Sequence, residues 1–221
     1  MIATDLQAPY LASIALWREL AHHRPALSAP HLVSPPLEYA ACGTRLMIVG
    51  QEPLGWGEWV RDDSDNDHAL AELLRGYDDF ALGANYRRSP FWSAANSIFA
   101  RLNPNAGQRS YLWSNLIKIA ENGHRPSSEV EESICSLKLL ESELKAYKPD
   151  VAVFFTGPRY DERLRATFPG VRYTPISKYV VRLDGHEALP LRSFRAYHPG
   201  YLRRAKQWPV IDQLASYCEV I

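Results

Sequence analysis

Four short apolar runs, at 45–50, 111–119, 151–156 and 191–197, alternate along the chain with segments of helical periodicity at 67–76, 90–102, 128–147 and 159–167. Apolar residues that recur every three to four positions mark helices, whereas short continuous runs bounded by turn residues mark buried strands. Strands joined through helices pair in parallel, and a parallel sheet needs helices over both of its faces. The expected fold is therefore an α/β three-layer sandwich around a central, mostly parallel four-stranded sheet. With 221 residues, 46% of them hydrophobic, the chain can bury one sizeable core, so residues 1–221 are expected to form a single domain. Residues 1–44 read as an N-terminal helical extension packed on that core. Leu11, Ile14, Ala15, Trp17 and Leu20 share one helical face, and a proline-rich passage from Pro25 to Pro36 leads to a helical patch from Leu37 to Cys42. Residues 171–183 fit either a further strand or an extended arm. The last helix starts near Gly200, ends before Ile221 and breaks at Pro209.

Two of the runs stop at reactive side chains. Leu46-Met47-Ile48-Val49-Gly50 leads into Gln51-Glu52-Pro53-Leu54-Gly55, and Arg195-Ala196-Tyr197 leads into His198-Pro199-Gly200-Tyr201-Leu202-Arg203. In open α/β sheets the carboxyl ends of the strands build the site, so Glu52 and His198 are expected in one crevice at the ends of neighbouring strands. A third run, Tyr111-Leu112-Trp113-Ser114-Asn115-Leu116-Ile117-Lys118-Ile119, carries an amide within strand-like sequence. A fourth, Val151-Ala152-Val153-Phe154-Phe155-Thr156-Gly157, runs into a glycine turn before a helix.

In order and spacing these four segments, spanning about residues 45–205, resemble the uracil-DNA glycosylase superfamily. The first motif of its best known branch reads Gly-Gln-Asp-Pro-Tyr-His, and its last begins His-Pro-Ser-Pro-Leu. The resemblance implies a monofunctional DNA glycosylase that flips a uracil-like or modified pyrimidine and hydrolyses its N-glycosidic bond, leaving an abasic site. Glu52 then stands where the family has its water-orienting Asp, and His198 where it has the donor to the base carbonyl. Gln51, Asn115, Phe91 and Leu54 become base contacts, while Leu202, Arg203, Gly200 and Arg88 become DNA contacts, Leu202 as the wedge that fills the vacated stack. Glu52 in place of Asp, Leu54 in place of Tyr and Gly55 in place of His depart from the family pattern and favour a base other than plain uracil.

The residue chemistry fits that assignment. Glycosidic cleavage develops a cation on the sugar and an anion on the leaving base, so it calls for a carboxylate near the first and a donor near the second. A helix starting after His198 would disfavour imidazolium and leave a neutral donor. An Asn amide offers an acceptor and a donor together, which complements the Watson–Crick edge of uracil. Each residue also has a structural reading: Glu52 as a turn cap, His198 as a loop histidine, Asn115 bonded to neighbouring backbone, and Phe91 and Leu202 as ordinary helix core. No lysine occupies a motif position suited to Schiff-base chemistry, so no strand cleavage is expected.

Lys plus Arg and Asp plus Glu each total 25, giving no global basic signal. Arg87, Arg88, Arg203, Arg204 and Lys206 could still form a basic rim. Cys42, Cys135 and Cys218 are too few and too scattered for a disulfide framework or a four-cysteine iron–sulfur cluster, which suits a reducing cytoplasm. Neither His22-His23 nor His186 has metal-ligand spacing, and no metal or cofactor is expected. Residues Asp63 to His68 begin like a calcium loop but lack its glycine and final glutamate, so helix capping by Asp67 explains them better. No apolar run approaches the roughly 20 residues of a membrane span. The expected protein is a cytoplasmic monomer whose partner is DNA; the alternatives are a non-catalytic nucleic-acid-binding module on the same fold and an unrelated small-molecule enzyme.

Overall fold

The computed structural model of the chain describes residues 2–57, 60 and 65–219. Four strands, β1 (Leu46–Gly50), β2 (Leu112–Asn115), β3 (Val151–Phe154) and β6 (Arg192–Ala196), form the parallel part of the sheet, in the order β2-β1-β3-β6. Strands β1 and β3 are apolar throughout, as burial on both faces requires, whereas β6 buries Ser193 and Arg195, the latter paired with Asp161. Among the described residues the sheet has six strands rather than four. Residues 171–183, open on sequence grounds, contribute an antiparallel hairpin, β4 (Arg172–Pro175) and β5 (Val180–Asp184), with β5 paired to β6 and β4 at the edge. Most of β4 is exposed, which is why no apolar pattern announced it.

The helices are α1 (Thr4–His23), α2 (Asn66–Phe80), α3 (Pro90–Leu102), α4 (Ser128–Cys135), α5 (Leu139–Tyr147), α6 (Asp161–Thr167), α7 (Pro199–Arg204) and α8 (Val210–Glu219). Helix α1 packs on α2, α4 and α5, whereas α3 packs on α7 and α8. The sheet is thus flanked by two separate helical groups. Lys138, in left-handed conformation, splits the expected helix 128–147 into α4 and α5. Helix α2 is capped by Asp65, whose side chain accepts from His68 N at 2.7 Å, and not by Asp67. Asp63 and Ser64 lie outside the described residues.

The interior is not wholly apolar. Lys118 Nζ donates to Ser114 Oγ at 2.6 Å and to Glu143 Oε1 at 2.7 Å, and the Ser114 hydroxyl donates to Glu143 Oε2 at 2.7 Å. The Tyr10 hydroxyl of α1 donates to the same carboxylate at 3.1 Å. A buried charge pair is tolerable only with this degree of hydrogen bonding.

From β1 the chain crosses outward to β2 and then returns past β1 to β3, so the switch in winding direction falls between the carboxyl ends of β1 and β3. Strand β3 lies between β1 and β6, which corrects the expectation that the strands leading to Glu52 and His198 are neighbours. Backbone bonds lace this edge together beyond the strands. Leu116 N and Ile117 N donate to Gly50 O and Gln51 O at 3.0 Å, Phe155 N to Val49 O at 2.8 Å, and Gly157 N to Ala196 O at 3.0 Å.

Candidate active site

Because β1, β2, β3 and β6 are parallel, Glu52, Asn115, Gly157 and His198 all follow strands at the same edge of the sheet. Gln51 bridges the switch point, its Nε2 donating to Thr156 O at 2.9 Å. Asn115 pairs in register with Gly50, and its side chain occupies the volume that a Cβ on Gly50 would need. Glycine at position 50 is what lets the amide lie across β1. Asn115 is 2% exposed, and its Nδ2 has no hydrogen-bond partner among the described residues. The Thr156 hydroxyl, at the end of β3, is likewise buried and unpartnered. Buried donors are rarely left unsatisfied, so an orphan amide at a sheet edge points to a ligand acceptor.

Glu52 is half-buried, and its Oε2 accepts from the Tyr160 hydroxyl at 2.6 Å. Burial raises its carboxyl above the ordinary 4.5, while the Tyr160 hydrogen bond and the charges of Arg125 and His124 work the other way. Tyr160 lies in the 3-10 turn Pro158–Tyr160 that opens the helical run after Gly157. The Arg125 guanidinium lies over its ring at 4.8 Å, and Arg125 and Arg163 together grip the buried Glu131. Neither Tyr160 nor Arg125 was evident from the sequence motifs.

His198 caps α7, its Nδ1 accepting from Gly200 N at 3.1 Å. With Nδ1 an acceptor, the neutral imidazole carries its proton on Nε2 and can donate from there. Burial lowers the His198 pKa below its ordinary value and the nearby Arg204 lowers it further, so the neutral form holds at neutral pH. Gly200 has a local purpose too, since a Cβ there would crowd His198 Nδ1 at 3.1 Å. Phe91, in the first turn of α3, lies 3.5 Å from the Cβ position of Gly50, and its ring sits 6.0 Å from that of His198 at 24°. A base sandwiched between two rings needs about 7 Å, twice a carbon–carbon contact. Phe91 and His198 therefore form one wall and not two jaws.

One of the expected contacts is corrected by the structure. Leu202 is 0% exposed and belongs to the hydrophobic core, because the inward face of α7 packs on α3. A side chain so buried is no wedge. Leu54 is 82% exposed. Arg203 and Arg88 are both exposed and meet through the Arg203 guanidinium donating to Arg88 O at 3.2 Å, with Arg203 also 4.6 Å over the Trp208 ring.

Two open surface clefts lie elsewhere. One, of about 540 Å³, is lined by Glu38, Cys42, Asn103 and Gln108 at the amino edge of the sheet. The other, of about 470 Å³, is lined by Gly55, Trp56, Arg75 and Tyr86. Neither is bounded by Glu52, Asn115 or His198. Among the described residues no group of three His, Cys, Asp or Glu side chains is placed to hold a metal ion, and no helix is long and apolar enough to cross a membrane. Fold and site together define an α/β protein that gathers a carboxylate, an imidazole donor and an orphan amide at the carboxyl edge of a parallel sheet. No family model matches the chain, and no curated protein matches it.

Proposed function

We propose that the chain is a monofunctional DNA glycosylase of the uracil-DNA glycosylase type, acting on a flipped pyrimidine in DNA. The observation that carries this reading is the buried, unpartnered amide of Asn115, set over Gly50 at the edge that also holds Glu52 and His198. In the proposed reaction water attacks C1′ of the deoxyribose as the C1′–N bond breaks. The bond's electron pair leaves with the base, whose developing anion receives hydrogen bonds from His198 Nε2–H and the Asn115 amide. The Glu52 carboxylate offsets charge on the sugar and takes the proton of the attacking water, with Tyr160 holding its other oxygen. The proton held by Glu52 then passes through solvent to the base anion, so the products are an abasic sugar and the free base, and none of these steps uses an amine nucleophile.

A base bulkier than uracil is the preferred substrate within this reading. Leu54 stands in solvent, and a Cβ on Gly55 would meet nothing within 4 Å, so the first motif raises no wall against a substituent on the pyrimidine ring. The test is a panel of single-stranded and duplex oligonucleotides carrying uracil, mismatched thymine and modified cytosines, treated with the protein and then with alkali. Alkali-dependent breaks at one base, lost in Asn115→Ala, support the reading. Intact strands throughout would return the chain to the class of non-catalytic modules.

A further inference from the structure

Beside the crevice three tyrosines run in a line over the surface. Tyr179, in the β4–β5 turn, meets Tyr197 edge-on with ring centroids 5.4 Å apart, and Tyr197 meets Tyr201 of α7 at 5.0 Å and 37°. The row is anchored where the Tyr197 amide donates to Tyr179 O at 3.2 Å. Tyr201 is 42% exposed and the other two are half-buried, so the row is a surface feature. Its middle ring, Tyr197, immediately precedes His198 of the candidate site.

Cations frame it. Exposed Lys178 lies 5.5 Å over the Tyr179 ring, and exposed Arg204 reaches within 3.6 Å of where a Gly200 Cβ would stand. Among the described residues no carboxylate pairs with either one. The balanced charge of the whole chain hides a segregation: Leu191 to Ile211 holds four arginines and one lysine with no acidic residue, and Phe80 to Ala120 holds the same complement with none. One buried cation of the first stretch, Arg195, is spent on Asp161 at 2.8 Å, while Arg203, Arg204 and Lys206 remain at the surface.

We propose that Tyr179, Tyr197 and Tyr201, flanked by Lys178 and Arg204, form a stacking platform for single-stranded DNA beside the flipped base. Partly exposed aromatic rings flanked by cations suit a strand that offers both base faces and phosphates. A duplex hides its base faces, so only unpaired nucleotides can use the rings. A protein partner would also suit exposed aromatics, but it gives no reason for the missing carboxylates. The placement next to the excised base rests on the glycosylase reading; the platform itself does not.

The experiment titrates a labelled oligothymidylate, and a hairpin duplex of equal length, with the intact protein and follows fluorescence anisotropy. The platform requires the single strand to bind more tightly than the hairpin. Tyr201→Ala and Tyr179→Ala should each weaken single-strand binding roughly 5- to 150-fold, the range for loss of one stacked base, whereas Tyr201→Phe should keep it. Arg204→Gln should reduce the slope of log affinity against log salt by about 0.7, as for one lost phosphate contact. Unchanged binding in both alanine variants, equal loss in Tyr201→Phe, or a wild-type preference for the hairpin would overturn the proposal. So would a change of oligomeric state on sedimentation of Tyr201→Ala, which would make the row a protein interface. The probe contains no uracil, so binding without any cleavage in the oligonucleotide panel would spare the platform and remove only the glycosylase.

Discussion

The Tyr160 hydroxyl donates to Glu52 Oε2 at 2.6 Å, joining the turn after β3 to the loop after β1. That bond favours the carboxylate, while burial of the same group favours the acid. Glutamate is one methylene longer than aspartate and has more rotamers to lose, and a fixed partner on one oxygen leaves the other aimed.

Tyr160→Phe removes the donor and keeps the ring. The carboxyl of Glu52, already raised by burial, should rise further once the hydrogen bond that favours its charged form is gone. In single-turnover cleavage the acid limb should move to higher pH while the alkaline plateau changes little. In a protein that cleaves nothing, carbon-13 NMR of labelled glutamate reads the same shift.

Glu52→Gln should separate stability from turnover. The folded carboxyl binds its proton more tightly than the unfolded one, so ionised Glu52 costs stability above its raised folded pKa, and the cost vanishes below the ordinary 4.5. Thermal melts should show the variant more stable than wild type at about pH 7 and no different below about pH 4. Cleavage should fall roughly 10²- to 10⁴-fold. A variant melting lower at neutral pH would contradict the sign.

Gly50→Ala places a methyl group in the space of the Asn115 amide and against Phe91. Overpacking of this kind costs about 1–3 kcal/mol, measurable by urea unfolding. Base selectivity should be lost along with it, because the amide has to leave its position. A variant of wild-type stability would mean that Asn115 swings away freely.

Leu202→Ala distinguishes core from wedge. As a fully buried side chain it should cost about 2–5 kcal/mol in chemical denaturation. A wedge would instead show wild-type stability with activity lost on duplex substrates alone.

The parallel strands β1 and β3 were legible because they are buried on both faces and so are written as apolar runs, whereas Arg192–Ala196 was legible from the turn residues that end it. The β4–β5 hairpin was not, since edge strands such as Arg172–Pro175 alternate weakly and face solvent. Gly50, Asn115 and His198 were readable as strand ends, where type and position together suggest chemistry. Tyr160 was hidden inside a segment that reads as ordinary helix; only the three-dimensional return of that turn to Glu52 exposes it. Leu202 was misjudged because a spacing of four residues fixes the face of a helix without saying whether that face looks inward. The order of β1, β3 and β6 also escaped, because adjacency in a parallel sheet is decided by crossover packing and not by local sequence.

The Tyr10 hydroxyl on Glu143 gives helix α1 a role beyond covering a face of the protein. Deleting that helix would leave a buried carboxylate short of a donor, in addition to baring Leu6, Ile14 and Trp17. A domain boundary drawn at the first strand would cut through this hydrogen-bond network, and a chain shortened to remove α1 should unfold at lower denaturant than the intact protein. Across relatives, Tyr10, Ser114, Lys118 and Glu143 should be inherited or exchanged as a set.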